Sequence, residues 1–130
     1  MLALDDVSIT YATRTGPVQA VSGVSIDLPA GGSLGLVGES GCGKSTLALA
    51  ALALLPPEAR VSGGRVLFDG ADIAHSPDRA LRPLRWSRIA YVPQSAQNAL
   101  VPVHSLRRQF RDTAAAHGML WRLQMAGIQV

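Results

Sequence analysis

The chain has 130 residues and a formal net charge of +3, with 48% hydrophobic and 16% charged residues. This length and balance predict one folded domain with its own core and exclude an intrinsically disordered chain. The mild positive charge and the aromatic content of only 5% argue against a nucleic-acid-binding role, which needs a denser basic face.

The sequence carries no signal for secretion or membrane insertion. Asp5 and Asp6 stand where a signal peptide would have basic residues. The longest apolar run, residues 47–55, is far shorter than the roughly 20 residues that span a bilayer. The single cysteine, Cys42, cannot form an internal disulfide, which favours a reducing cytosol. We therefore expect a chain that does not itself cross a membrane.

Apolar and polar residues alternate in two stretches near the N-terminus, which predicts two β-strands. The first covers residues 7–12, and the second covers residues 24–28 before a Pro-Ala-Gly-Gly turn. The short apolar run at 34–37 predicts a buried parallel strand. Residues 45–55 are rich in alanine and leucine, so they predict a helix that Pro56 ends.

The second half of the chain predicts two further strands and one helix. The strands are residues 65–68, closed by an Asp-Gly turn, and the apolar run 89–92; a polar, arginine-bearing segment at 72–87 separates them. The helix runs from the N-cap residue Ser105 to about Ala116, with Gly118 as its stop. Strands mixed with helices in this order predict an α/β fold.

Residues 38–45, Gly-Glu-Ser-Gly-Cys-Gly-Lys-Ser, fit the pattern G-x-x-x-x-G-K-[ST] at every fixed position. Gly41 and Gly43 allow a triphosphate to approach the backbone, and the following helix points free N–H groups at it. Lys44 is the only lysine among 12 basic residues. Its compact ammonium can reach between two phosphates where an arginine fork is too bulky. Ser45 offers a hydroxyl to Mg²⁺. The sequence therefore predicts a P-loop that binds a nucleoside triphosphate.

A P-loop alone leaves GTPases, kinases, motor ATPases and transporter ATPases open. Because the chain has no second lysine, it has no Asn-Lys-x-Asp motif of the kind that reads guanine in GTPases resembling the Ras type.

Three segments together resemble the ATP-binding cassette (ABC) family, the ATPase subunits of ABC transporters. They are residues 7–46 with the P-loop, residues 62–73, and residues 88–103 with a Q-loop-like sequence. The sequences GESGCGKST and QSAQNAL most resemble those of the ATPase subunits of importers of oligopeptides, dipeptides and nickel. The resemblance implies a P-loop NTPase domain of ABC type with an N-terminal antiparallel β-subdomain. It covers residues 1–112 and leaves 113–130 as a divergent tail.

The resemblance also implies a role for individual residues, with ATP and Mg²⁺ as cofactors. Tyr11 matches the aromatic residue that stacks on adenine, although it could instead be a core-facing strand residue. Gln94 matches the glutamine that approaches Mg²⁺ and the attacking water, although it could be a surface amide. Lys44 would act in catalysis with Gln94, and Ser45 would be a metal ligand with Gln94. The phosphate cradle would comprise Gly38, Ser40, Gly41, Cys42, Gly43, Lys44, Ser45 and Thr46.

By the same resemblance, the partners would be transmembrane permease subunits and a second ATP-binding subunit. The location would be peripheral, on the cytoplasmic side of the cell membrane.

The printed sequence has no LSGGQ-like signature and no Asp-Glu pair, so it lacks a Walker B strand with its catalytic glutamate. We therefore expect about half of a cassette, which binds ATP but turns it over negligibly. Three hypotheses follow. The chain is a truncated ATPase subunit of a peptide-class importer, a non-catalytic nucleotide-binding or interaction remnant, or another P-loop enzyme such as a small-molecule kinase.

Two further groups of residues receive no role. The spacing of Arg82, Arg85 and Arg88 favours a solvated face over a partner or lipid contact. The three histidines, His75, His104 and His117, have no metal-ligand spacing.

Overall fold

The computed structural model describes residues 1–85, 87–92 and 100–118. By its contacts the chain divides into two compact units, Met1–Leu81 and Arg82–Val130. The strands are β1 (Leu2–Thr13), β2 (Gly16–Leu28), β3 (Ala59–Phe68) and β4 (Ala71–Asp72), and the helices are α1 (Lys44–Ala51), α2 (Asp78–Leu81) and α3 (Leu106–Ala116). No helix in the described part of the chain has the length and apolar character needed to cross a membrane.

The first unit contains a four-stranded antiparallel sheet in the order β2-β1-β3-β4, together with α1 and α2. The central strand β1 pairs with β2 from Leu2 to Thr13 and with β3 from Leu2 to Tyr11. Side chains of β1 point alternately to the two faces, which places Val7 and Ile9 in the core with no exposed area. The two N-terminal strands and the antiparallel subdomain are thus confirmed, and both strands extend beyond the predicted residues.

Helix α1 packs against this sheet through Leu47 and Ala50, which are 8% and 1% exposed. The helix ends at Ala51, four residues before the predicted Leu55. A Schellman motif stops it there. Ala53 adopts a left-handed φ of 52° and its N–H donates to the carbonyl of Ala50. The backbone itself therefore ends the helix before the chain reaches Pro56.

Two predicted strands are wrong. Residues 34–37 have no strand partner within the described ranges, and Val37 is 93% exposed. Of residues 89–92, Ile89 alone forms a bridge, an isolated parallel one with Arg85. An apolar run indicates only that burial of the segment would be energetically favourable. A strand also needs a neighbouring strand that pairs with its backbone N–H and C=O groups. Among the residues that the structure describes, residues 34–37 have no such neighbour, and residues 89–92 have only the single bridge at Ile89.

In the second unit, α3 begins and ends where its capping residues predict. The Ser105 hydroxyl accepts a hydrogen bond from the Arg108 amide at 3.3 Å, and the helix ends at Ala116 with Gly118 two residues beyond. Gln109 also fixes the preceding turn, because its amide group donates to the Val101 carbonyl at 3.1 Å and accepts from the Val101 amide at 2.9 Å. A local side-chain signal was sufficient to place this helix.

Candidate nucleotide-binding site

The P-loop, residues 38–45, leads directly into α1. Gly43 is the N-cap residue of that helix, with a φ of 91°, and no side chain caps the first turn. The N–H groups of that turn therefore remain available to an anion, and the helix dipole favours negative charge there. The local backbone has the properties of a phosphate site before any side chain is considered.

Strand β2 fixes the last part of the loop. A Cβ atom added at Gly43 would lie 2.7 Å from the carbonyl oxygen of Ala20 and 3.2 Å from Cγ2 of Val21. Real Cβ atoms do not approach a backbone oxygen so closely. The loop thus rests against the β2 backbone at Gly43, where the absence of a side chain permits the contact.

The side chain of Lys44 lies across its own loop. Its ammonium donates to the carbonyl oxygens of Gly38 at 2.8 Å and Glu39 at 2.5 Å, and Cys42 Sγ lies 3.4 Å away. Cys42 is a free, exposed thiol. The loop therefore surrounds a single positive charge with backbone acceptors from its own first half.

An open cavity of about 300 Å³ lies beside the loop. The residues that line it come from β1, β2, the P-loop and α1; they are Tyr11, Ala20, Gly41, Gly43, Lys44, Ser45 and Thr46. Tyr11 is half-buried, and its hydroxyl lies 3.3 Å from Thr46 Oγ1. The fold thus brings a residue of the first strand to the P-loop, as the resemblance implied, while its stacking role stays a prediction. Gly38, Ser40 and Cys42 lie on the same loop but do not line this cavity.

Ser45 is the described residue that best fits a Mg²⁺ ligand. Its hydroxyl is exposed, lines the cavity and makes no hydrogen bond within the described ranges, so it is available to a hard cation. Gln94, the second predicted metal ligand, lies outside the described residues. Residues 1–85, 87–92 and 100–118 contain no group of three or more His, Cys, Asp or Glu side chains that could hold a metal ion.

Among the histidines, His75 has a structural partner. Its Nδ1 atom lies 2.8 Å from Oδ2 of Asp72. Partial burial by itself would raise the pKa of Asp72, but hydrogen bonds from His75 and from the Ala74 amide outweigh it, so the pKa lies below its usual value. The pair fixes the turn after β4.

Sequence reasoning missed two features of the site. No sequence signal marks Ala20, because its contribution is a backbone carbonyl that meets Gly43. The contact between Tyr11 and Thr46 was likewise not predicted, because it joins residues 35 positions apart.

An antiparallel sheet followed by a P-loop and its helix defines a nucleotide-binding domain of the P-loop class. The chain belongs to the ABC transporter family, whose model matches residues 21–129. This membership confirms the resemblance and excludes the small-molecule kinase alternative.

Named relatives add detail to that membership. The chain is 39% identical over 121 residues to the dipeptide transport ATP-binding protein DppD of Caldanaerobacter subterraneus subsp. tengcongensis, covering 93% of this chain and 37% of that protein. It is 37% identical over 117 residues to the oligopeptide transport ATP-binding protein OppD of Salmonella typhimurium, covering 90% and 35%. The chain thus spans little more than a third of the length of these relatives.

A solved structure shows the same fold. The dimeric structure of MJ0796, a bacterial ABC transporter cassette, superposes with a TM-score of 0.76 at 24% identity, covering 90% of this chain and 48% of that one. A second structure of MJ0796, in a post-hydrolysis state bound to ADP and Pi, gives a TM-score of 0.75. The P-loop NTPase fold of ABC type is thereby confirmed.

Proposed function

We propose that this chain binds ATP with Mg²⁺ as part of the ATP-binding subunit of an ABC importer of the peptide class. The observation that carries the proposal is the position of Lys44, the first residue of α1, beside an open cavity that Tyr11 also lines. The relatives named for dipeptide and oligopeptide transport support the substrate class.

Three described residues of the cavity, Lys44, Ser45 and Tyr11, have a chemical task in this proposal. Lys44 exchanges its carbonyl partners for phosphate oxygens, and the N–H groups of the first turn of α1 bind the same anion. Ser45 holds Mg²⁺, which screens the charge on the phosphates. The ring of Tyr11 provides a flat apolar surface for the base. Gln94 would orient the attacking water, since an amide can position a water that it cannot deprotonate.

The same proposal assigns the partner proteins and the cellular location of the chain. The chain would bind transmembrane permease subunits and a second ATP-binding subunit at the cytoplasmic side of the cell membrane, as a peripheral protein. The names of the relatives, which are ATP-binding components of transport systems, support this assignment.

The proposal is tested by titrating Mg-ATP into the purified chain by calorimetry. Lys44→Ala removes the one cation of the loop, so we expect the dissociation constant to rise at least about tenfold, as for loss of a charge-assisted hydrogen bond. Arg79→Ala removes one exposed cation from α2 and serves as the charge-matched control, with unchanged affinity expected.

Equal affinity in the wild-type and Lys44→Ala proteins contradicts the proposal. Phosphate release measured in the same samples tests the expectation that the chain binds ATP with negligible turnover.

A further inference from the structure

The first half of α3 exposes large apolar side chains to solvent. Leu106 and Phe110 lie four residues apart on one face of the helix and are 56% and 63% exposed. Val103, in the turn before the helix, is 82% exposed. The next position of the same face, Ala114, is buried. This face of α3 is therefore packed at its C-terminal end and open at its N-terminal end.

A row of arginines runs beside these apolar side chains. Arg107 and Arg111 each follow an apolar residue of the face by one position, which places them about 100° further round the helix. Both are exposed, as is Arg108. Asp112 is the only acidic residue of α3, and its carboxylate lies 3.6 Å from Nε of Arg108 and 4.0 Å from Nε of Arg111. Three arginines against one aspartate leave positive charge next to the apolar surface.

Hydrogen bonds within the segment hold α3 and the preceding turn in a fixed arrangement. The Ser105 hydroxyl caps the helix, and the Gln109 side chain bonds both backbone groups of Val101 and the carbonyl of His104, the last at 2.9 Å. Val103 lies inside this turn. A helix that is already formed does not pay the conformational entropy of folding when it binds a partner.

An apolar row with cationic residues beside it is typical of a helix that lies in the interface of a membrane. Its apolar side chains enter the boundary between headgroups and acyl chains, and the long arginine side chains reach the phosphates. The guanidinium group suits this task, because its planar fork binds phosphate oxygens in pairs. The excess of positive charge favours anionic lipids over neutral ones. A protein partner would need an apolar groove with acids at matching positions, whereas an anionic bilayer offers both chemistries along its whole surface.

We propose that the α3 surface, formed by Val103, Leu106, Arg107, Phe110 and Arg111, binds directly to anionic lipid bilayers. The inference goes beyond nucleotide binding and does not depend on it. It gives the chain a membrane contact of its own, in addition to the permease subunits proposed above.

The test mixes the 130-residue chain with lipid vesicles and separates bound from free protein by flotation in a density gradient. One set of vesicles is phosphatidylcholine alone, and the other is phosphatidylcholine mixed with phosphatidylglycerol. We expect at least about tenfold stronger partition into the anionic vesicles, and a decrease when salt is added. Equal partition into both kinds of vesicle, or none into either, overturns the inference.

Substitutions locate the contact on α3. Phe110→Ser removes the exposed ring, so the partition into anionic vesicles should fall about tenfold. Arg107→Gln should lower it about fivefold, whereas Arg107→Lys keeps the charge and should retain most of it. The controls are Val37→Ser, at another exposed apolar position, and Arg79→Gln, at an exposed cation of α2; neither should change the partition. If Val37→Ser lowers it as much as Phe110→Ser, a different surface contacts the lipid and the inference is overturned.

Two further measurements separate this inference from its alternatives. Light scattering without lipid tests whether a second copy covers α3. If Phe110→Ser abolishes self-association but leaves vesicle binding unchanged, the inference is overturned. Calorimetry with Mg-ATP on the same variant should give the wild-type affinity, because Phe110 is not part of the nucleotide site. A chain that binds anionic vesicles through Phe110 but does not bind ATP would contradict the proposed function and leave the lipid contact intact.

Discussion

Gly43 is constrained from two directions. Its φ of 91° is a left-handed value that favours glycine, and the Ala20 carbonyl occupies the space that a side chain would need. Gly41 shares the first constraint, with a φ of 83°, but has nothing within 4 Å of its Cβ position. Among the three glycines of the loop, these two therefore allow the effect of backbone strain to be measured apart from the effect of contact with β2.

Replacing each glycine by alanine measures the two effects. Gly41→Ala should lower the free energy of unfolding by about 1 kcal/mol, the strain of one left-handed alanine. Gly43→Ala adds the displacement of the loop from β2, so a clearly larger loss is expected. Urea denaturation of both variants provides the comparison. Similar losses would show that the loop is not held by the β2 backbone.

At the scale of secondary-structure elements, β1 and β3 approach closely at one irregular point. Their register shifts between Asp5 and Ser8, where Asp6 has a φ of 51°. A Cβ atom at Gly64 would lie 2.3 Å from the carbonyl oxygens of both Asp5 and Asp6. The bulge therefore needs the absence of a side chain on the facing strand.

Adjacent glycines of β3 provide a matched pair for this bulge. Gly64→Ala should reduce the free energy of unfolding by about 3 kcal/mol or more, because the strands must separate and φ is 75°. The Cβ of Gly63→Ala would meet only the Ser8 side chain, at 3.6 Å from Cβ and 3.8 Å from Oγ, which are ordinary contacts, so its effect should stay within about 1 kcal/mol. Chemical denaturation distinguishes them, and equal effects would exclude the bulge as the cause.

The elements that the sequence predicts well are those whose signal is local. Alternation around Val7 places β1, and the cap Ser105 places α3. β3 begins at Ala59, six residues before its predicted start, because Gly63 and Gly64 interrupt the alternation. The pairing of this first half with β1 decides its conformation, and pairing is a long-range property.

In the candidate site, too, local sequence patterns are predictable and long-range contacts are not. The spacing of the P-loop residues identifies the loop and Lys44, because phosphate chemistry restricts the residue types at fixed positions. The partners that Lys44 has in the structure, the Gly38 and Glu39 carbonyls, are not coded by residue type and so could not be predicted. Backbone groups supply contacts without a sequence signal.

At the scale of the whole molecule, the segment 34–37 leaves apolar surface in contact with solvent. Leu34, Leu36 and Val37 are 52%, 40% and 93% exposed. Such a segment, which is apolar, exposed and without a strand partner in the described part of the chain, is the kind of surface through which proteins associate. We therefore expect this segment to be a site of self-association.

A polar substitution tests this surface. Val37→Ser should reduce self-association and dye binding to apolar surface, with a change of less than about 0.5 kcal/mol in the free energy of unfolding. The buried control Val7→Ser, at a site with no exposed area, should lower that free energy by about 3 kcal/mol. Light scattering coupled to gel filtration measures the self-association, and dye fluorescence measures the exposed apolar surface. If Val37→Ser associates as strongly as the wild-type protein, self-association uses a different surface.

The internal hydrogen bonds of Lys44 make ligand binding an exchange reaction. Any phosphate that reaches this ammonium must replace the Gly38 and Glu39 carbonyls, which already lie 2.8 and 2.5 Å from it. The enthalpy of binding is then a difference between two sets of bonds and underestimates the strength of either set. Until a stronger acceptor arrives, uncharged carbonyl groups of the free loop hold the ammonium in place, and its positive charge stays uncompensated.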